Sequence, residues 1–172
     1  AALPAVAIST ESLLKSGIKQ GTEKGASIAK ITPVLKNLSK LASGIISELG
    51  SDVKLAKNFL PLTFEKLVIQ MKLSGEKLDN IKREFELILK EVGDFPVAIT
   101  KDLFQKIDQK DKGNGAVFSL AVDANACTGC GVCASVCSED AIGMIAQSES
   151  SLVSIQSNFS LYENLPNTSA AV

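Results

Sequence analysis

The four cysteines of this chain, Cys127, Cys130, Cys133 and Cys137, fall within eleven residues, and the rest of the 172-residue sequence has none. No other feature restricts the backbone so tightly. Thiols spaced C-x-x-C-x-x-C-x-x-x-C call for a short loop that curls until three sulfurs converge while backbone N–H groups turn inward. Small residues permit that curl: Gly129 and Gly131 flank Cys130, where a missing Cβ tolerates positive φ and close backbone approach. Thr128 can add a hydroxyl bond to a sulfur or to the loop backbone. Ahead of the loop, residues 117–122 (VFSLAV) read as a strand, with Asp123 and Asn125 as turn formers. Beyond it, residues 134–137 read as a helical turn and residues 141–145 (AIGMI) as a returning apolar strand.

The same spacing is the ligand pattern of a 4Fe-4S cluster, which is the expected cofactor, with Cys127, Cys130 and Cys133 on one cubane. A cubane takes four ligands, but in the bacterial two-cluster pattern the fourth cysteine of such a run binds the other cluster. Cys137 therefore stands open between local closure and a second cluster. Cys133 and Cys137 are four residues apart and share a face if the turn is helical. Structural zinc fits less well, because its ligands usually come as two arms separated by a dozen or so residues. Disulfides would confine all cross-linking to one loop and staple nothing else. A redox C-x-x-C pair alone would leave two cysteines without a role.

Read together, residues 121–123 (AVD), 127–133 (CTGCGVC), Val136-Cys137 and Asp140-Ala141-Ile142 resemble one half of a bacterial-type ferredoxin. Within that group the segment is most similar to the ferredoxin part of large 2-oxoacid:ferredoxin oxidoreductases of the pyruvate kind, and residues 159–168 resemble the linker that leaves it. One departure is plain: Ser138 stands where the family usually places proline after the fourth cysteine, which removes a rigid exit from the loop. The resemblance sends Cys137 to a second cluster that needs its own cysteine triad. With no such triad in this sequence, and with Ala1 first and a polar stretch at 167–172 last, the chain is expected to be an excerpt of a multidomain oxidoreductase.

Composition agrees with a soluble intracellular protein, with 45% hydrophobic and 22% charged residues and a net charge of -1, and cysteines held as reduced ligands fit a cytoplasmic location. No apolar run approaches a membrane span, and residues 1–8 lack the positive flank of a signal peptide. Histidine is absent, which excludes Ser-His-Asp and Cys-His catalysis, Rieske centres, histidine-ligated haem and zincin sites in this chain. Neither a Walker loop nor a G-x-G-x-x-G turn appears, and Gly113-Asn114-Gly115 reads as a flexible turn. With no Trp and one Tyr, the stacking platforms of a nucleic-acid binder are missing.

Charge divides the chain. All 18 Lys and Arg residues lie at or before Lys112 together with 14 of the 19 acids, so residues 1–112 carry +4 and residues 113–172 carry -5. Thiolate ligation deepens the negative side, which argues for a low reduction potential.

The first part reads as helices. Thr32 and Pro33 open one that carries Val34, Leu35, Leu38, Leu41, Ile45, Ile46 and Leu49 at helical spacing and stops at Gly50. Residues 63–73 and 76–92 form two more, built on Phe64, Leu67, Val68 and Met71 and on Leu78, Ile81, Phe85, Leu89 and Val92. Thr100 caps a short helix through Leu103, Phe104 and Ile107, whereas Gly17, Gly21 and Gly25 weaken the helical signal of residues 13–31. These apolar stripes are expected to pack on one another rather than on a partner.

The expected architecture is α+β: a helical region at 1–112, a ferredoxin-like strand–cluster loop–helix–strand unit at 113–150, and a linker or tail at 151–172. The expected function is electron transfer within an oxidoreductase, with no catalytic residue in this chain and with a redox partner or neighbouring domains to exchange electrons. The alternative is a standalone binding or adaptor protein with a structural or redox-sensing cluster.

Overall fold

A computed structural model describes residues 3–168 and shows an α+β chain. Strand β1 (Ala5–Ser9) leads into α1 (Thr10–Glu23), whose N-cap Ser9 accepts a bond from the Ser12 N–H at 3.2 Å. Helices α2 (Leu35–Leu49), α3 (Leu60–Met71) and α4 (Gly75–Val92) follow. A π-helical turn (Lys101–Gln105) runs into α5 (Lys106–Lys110), then come β2 (Ala116–Leu120), the short α6 (Val132–Ser135) and α7 (Glu149–Glu163).

The helical stripes form one core, as the spacing predicts. Leu38, Ile46, Leu67, Ile88 and Val92 are fully buried, and Leu41, Val68, Leu78 and Leu89 pack against them part-exposed. Thr100 caps its helix as expected, its hydroxyl accepting from the Leu103 N–H at 3.1 Å. Thr32 does not: Thr32–Val34 is a 3-10 turn without a side-chain cap, and α2 begins one step later. The glycines of α1 prove to be points of close approach rather than weak spots. A Cβ on Gly17 would lie 2.5 Å from Cγ1 of Val92, so α1 and α4 touch through that gap.

A buried carboxylate ties this body together. Glu84 of α4 is 4% exposed, and its Oε2 accepts from the N–H groups of Ala29 at 3.1 Å and Ile31 at 2.8 Å. Burial alone would raise its pKa. Bonds from the N–H groups of Ile31, Lys30 and Ala29, with the Arg83 charge, outweigh that and hold it below the ordinary value.

Strand β1, which sequence periodicity does not signal, pairs antiparallel with β2 in the register Ala7↔Phe118. On the opposite edge of β2, Phe118 exchanges both backbone bonds with Ala98, at 2.7 and 2.9 Å. Both edges are thus taken near Phe118, which corrects one expectation: residues 141–145 form no returning strand, and Met144 and Ile145 lie exposed in irregular backbone. A strand without a neighbouring edge has no partner for its N–H and C=O groups. The final stretch also differs from an open linker. Residues 151–163 belong to α7, where Leu161 is fully buried in the main core and Tyr162 and Leu165 pack against it. Ala1 and residues 169–172 of the expected tail lie outside the described residues.

Candidate metal centre

The cysteine loop hangs from β2, and β2 is fixed on both edges. Immediately beyond it the Ala121 N–H bonds to the Pro4 carbonyl at 3.0 Å, and Asp123 then turns the chain. Its Oδ1 accepts from Asn125 N–H at 2.9 Å, and its carbonyl accepts from Cys127 N–H at 2.9 Å. This is the Asx-type turn that the sequence anticipates at Asp123. Gly129 and Gly131 adopt φ of +68° and +75°, and a Cβ on either would meet no neighbour within 4 Å. Backbone conformation, rather than crowding, is therefore what requires glycine there.

Cys127 and Cys130 are exposed, and Cys133 and Cys137 are partly buried; all four are free thiols. Cys133 lies within α6 and Cys137 just after it, with the Cys137 N–H bonding to the Ala134 carbonyl at 3.3 Å. The expected helical turn at 134–137 thus exists two residues earlier, at Val132–Ser135. Among the described residues no three His, Cys, Asp or Glu side chains close round a single ion. A cubane asks for something else, because each thiolate binds a different iron.

Two of the sulfurs sit under hydrogen-bond donors. The Val132 N–H, then the Thr128 hydroxyl, then its own N–H hold the Cys130 thiol below its ordinary pKa, against slight desolvation. Cys137 Sγ accepts from the Ala141 N–H at 3.2 Å, and that bond, with those from Glu139 and Ile142, lowers its pKa too. The turn that brings these donors round places Asp140 at φ +50°. Ser138 makes no backbone cap here; its hydroxyl meets Glu139 Oε1 at 3.5 Å. Donors aimed at sulfur stabilise the thiolate, which is the form that binds metal. They also oppose the low potential that the missing Lys and Arg suggest, since N–H dipoles favour added negative charge.

The donor set is all soft sulfur, the loop carries its glycines at left-handed backbone, and donors face the sulfurs. The residues present fit a 4Fe-4S cluster. Residues 120–143 match the family model of the 4Fe-4S binding domain, and the four cysteines at 127–137 lie within the match. No curated protein and no solved structure matches the chain. The segment thus has an iron–sulfur electron-transfer role with a 4Fe-4S cluster as its cofactor, and its partners are redox partners. Among the described residues no helix is long and apolar enough to cross a membrane.

Sequence reasoning missed the backbone donors of residues 139–142, because a backbone N–H leaves no mark in residue type. It missed α7 as a neighbour of the loop for another reason: residues 151–172 read as linker or tail, whereas Ser148 and Ser151 cap a helix reciprocally at the start of that stretch.

Proposed function

We propose that this chain is the electron-transfer segment of a larger cytoplasmic oxidoreductase of the 2-oxoacid:ferredoxin kind, passing single electrons through one cubane on Cys127, Cys130 and Cys133. The observation that carries the reading is the sulfur-donor loop itself, leading from β2 and supplied with N–H and hydroxyl donors at Cys130 and Cys137. Residues 113–150 act as the cluster unit. The helical body of residues 1–112 serves as its platform, since β1 and Ala98 grip the strand from which the loop hangs.

Cys137 has its own donor cradle, built from residues 139–142, while Cys130 is served by residues 128–132. The resemblance to one half of a bacterial-type ferredoxin gives Cys137 a role at a second cluster, whose triad lies in another part of the parent protein. The 2-oxoacid chemistry rests on the resemblance of residues 121–142 to that family and takes place elsewhere in the parent.

When bound, the cluster supplies one-electron reduction and oxidation at a potential set by its surroundings. The chain's own residues bind it, orient it and donate hydrogen bonds to its thiolates. Anaerobic reconstitution followed by reductive titration tests the electron-transfer role: reversible one-electron bleaching supports it, and a loaded cluster that cannot be cycled opposes it. For the parent enzyme, the reading frame on either side of Ala1 and Val172 decides. Continuous coding sequence containing another cysteine triad supports the assignment, and flanking stop codons remove it.

A further inference from the structure

Helix α7 reaches from the core to the cluster loop. Its second half is anchored by Leu161, fully buried, with Tyr162 and Leu165 beside it. Leu152 and Ile155 of its first half, three residues apart and so on one face, stand across a cavity of about 250 Å³ from Cys127, Thr128 and Gly129. Val122 and Ile145 add further apolar lining to the same space. Leu152 and Ile155 are partly buried, whereas Val153 between them is 61% exposed and lies outside the lining.

We propose that Leu152 and Ile155 of α7 form an apolar wall beside the Cys127 side of the cluster and hold its reduction potential down by keeping water from it. The proposal rests on the cluster assignment above. Thiolate ligation makes the cluster anionic, and reduction adds one more negative charge. A low-dielectric neighbour disfavours the more highly charged form, so cover by two aliphatic side chains makes the potential more negative and slows attack by dissolved oxygen. Leu152 and Ile155 are positioning residues in this account, acting through the solvent they exclude.

The test compares the reconstituted wild-type chain with L152A/I155A and with the control V153A. Alanine keeps the helix, because its helix propensity is the highest of all residues, and Leu161 retains the anchor. The double variant is expected to shift the midpoint potential to less negative values and to bleach several-fold faster in air, with α7 helicity unchanged by circular dichroism and V153A like wild type. Loss of the cluster from the double variant alone, with V153A fully loaded, supports the same wall. Equal potentials and bleaching rates in all three chains overturn it, as does a matching shift in V153A. A wild-type chain that takes up no iron and sulfide instead removes the cluster assignment beneath it, and the two failures are distinct.

Discussion

Replacing Glu84 tests how the helical body that carries β2 is held. The carboxylate accepts two backbone bonds, at 3.1 Å from the exposed Ala29 and at 2.8 Å from the fully buried Ile31. After Glu84→Ala, the exposed Ala29 N–H turns to water, while the N–H of fully buried Ile31 loses its acceptor. One buried N–H is left without a partner, at a cost of about 1–3 kcal/mol, and a hydrogen bond to a charged group worth about 1.5–3 kcal/mol is lost. These two figures overlap, so the expected destabilisation is about 2–4 kcal/mol. Glu84→Gln keeps an oxygen for Ile31 and should cost roughly half as much, mainly the charge assistance. Urea unfolding followed by circular dichroism reads both variants.

The pH dependence has a definite sign. The folded carboxyl lies below its ordinary value, so its stabilisation is fully present above the unfolded pKa and fades as pH falls through the folded one. The gap between wild type and Glu84→Gln should therefore narrow in acid. A loss below about 0.5 kcal/mol for Glu84→Ala, the size of an ordinary surface substitution, would mean that the carboxylate does not hold the body together. A gap that widens as pH falls would contradict that role equally.

Other expectations follow from the same geometry. Thr128→Val removes the hydroxyl donor on Cys130 and should make the midpoint potential more negative, with Thr128→Ser restoring it; equal potentials in an EPR-monitored titration would remove that role. Gly131→Ala forces a Cβ onto backbone at φ +75°, costing about 1–2 kcal/mol locally, and should lower the iron retained after gel filtration. Gly17→Ala sets a Cβ against fully buried Val92 and should destabilise by about 1–3 kcal/mol in the same urea assay, despite alanine's better helix propensity. Cys137→Ser should leave cluster yield unchanged if this cysteine serves a second cluster, and a fall in yield would show local closure.

Much of this molecule is legible from residue order. Helices α2 and α4 and the cap at Thr100 are readable because burial imposes a period on side chains, and Leu38, Ile46, Ile81 and Val92 keep that period. The cysteine spacing and Gly129 and Gly131 are readable because the ligand chemistry permits few alternatives. What escapes the sequence is long-range. Strand β1 is a five-residue segment whose pairing with β2, more than a hundred residues away, is decided by the fold. Residues 141–145 have the composition of a strand, yet Ala98 and β1 already occupy both edges of β2. In α7 the residues of the first turn are Ser and Glu, so its start is marked by capping bonds rather than by hydrophobic periodicity.

The central claim is that Cys127, Cys130 and Cys133 nucleate a 4Fe-4S cluster in this chain. Anaerobic reconstitution followed by iron and acid-labile sulfide quantification, with EPR of the reduced sample, tests it most directly. About four irons and four sulfides per chain are expected, with a broad visible absorption that bleaches on reduction and an EPR signal from the reduced cluster. Tightly bound zinc with no sulfide and no such signal would contradict it.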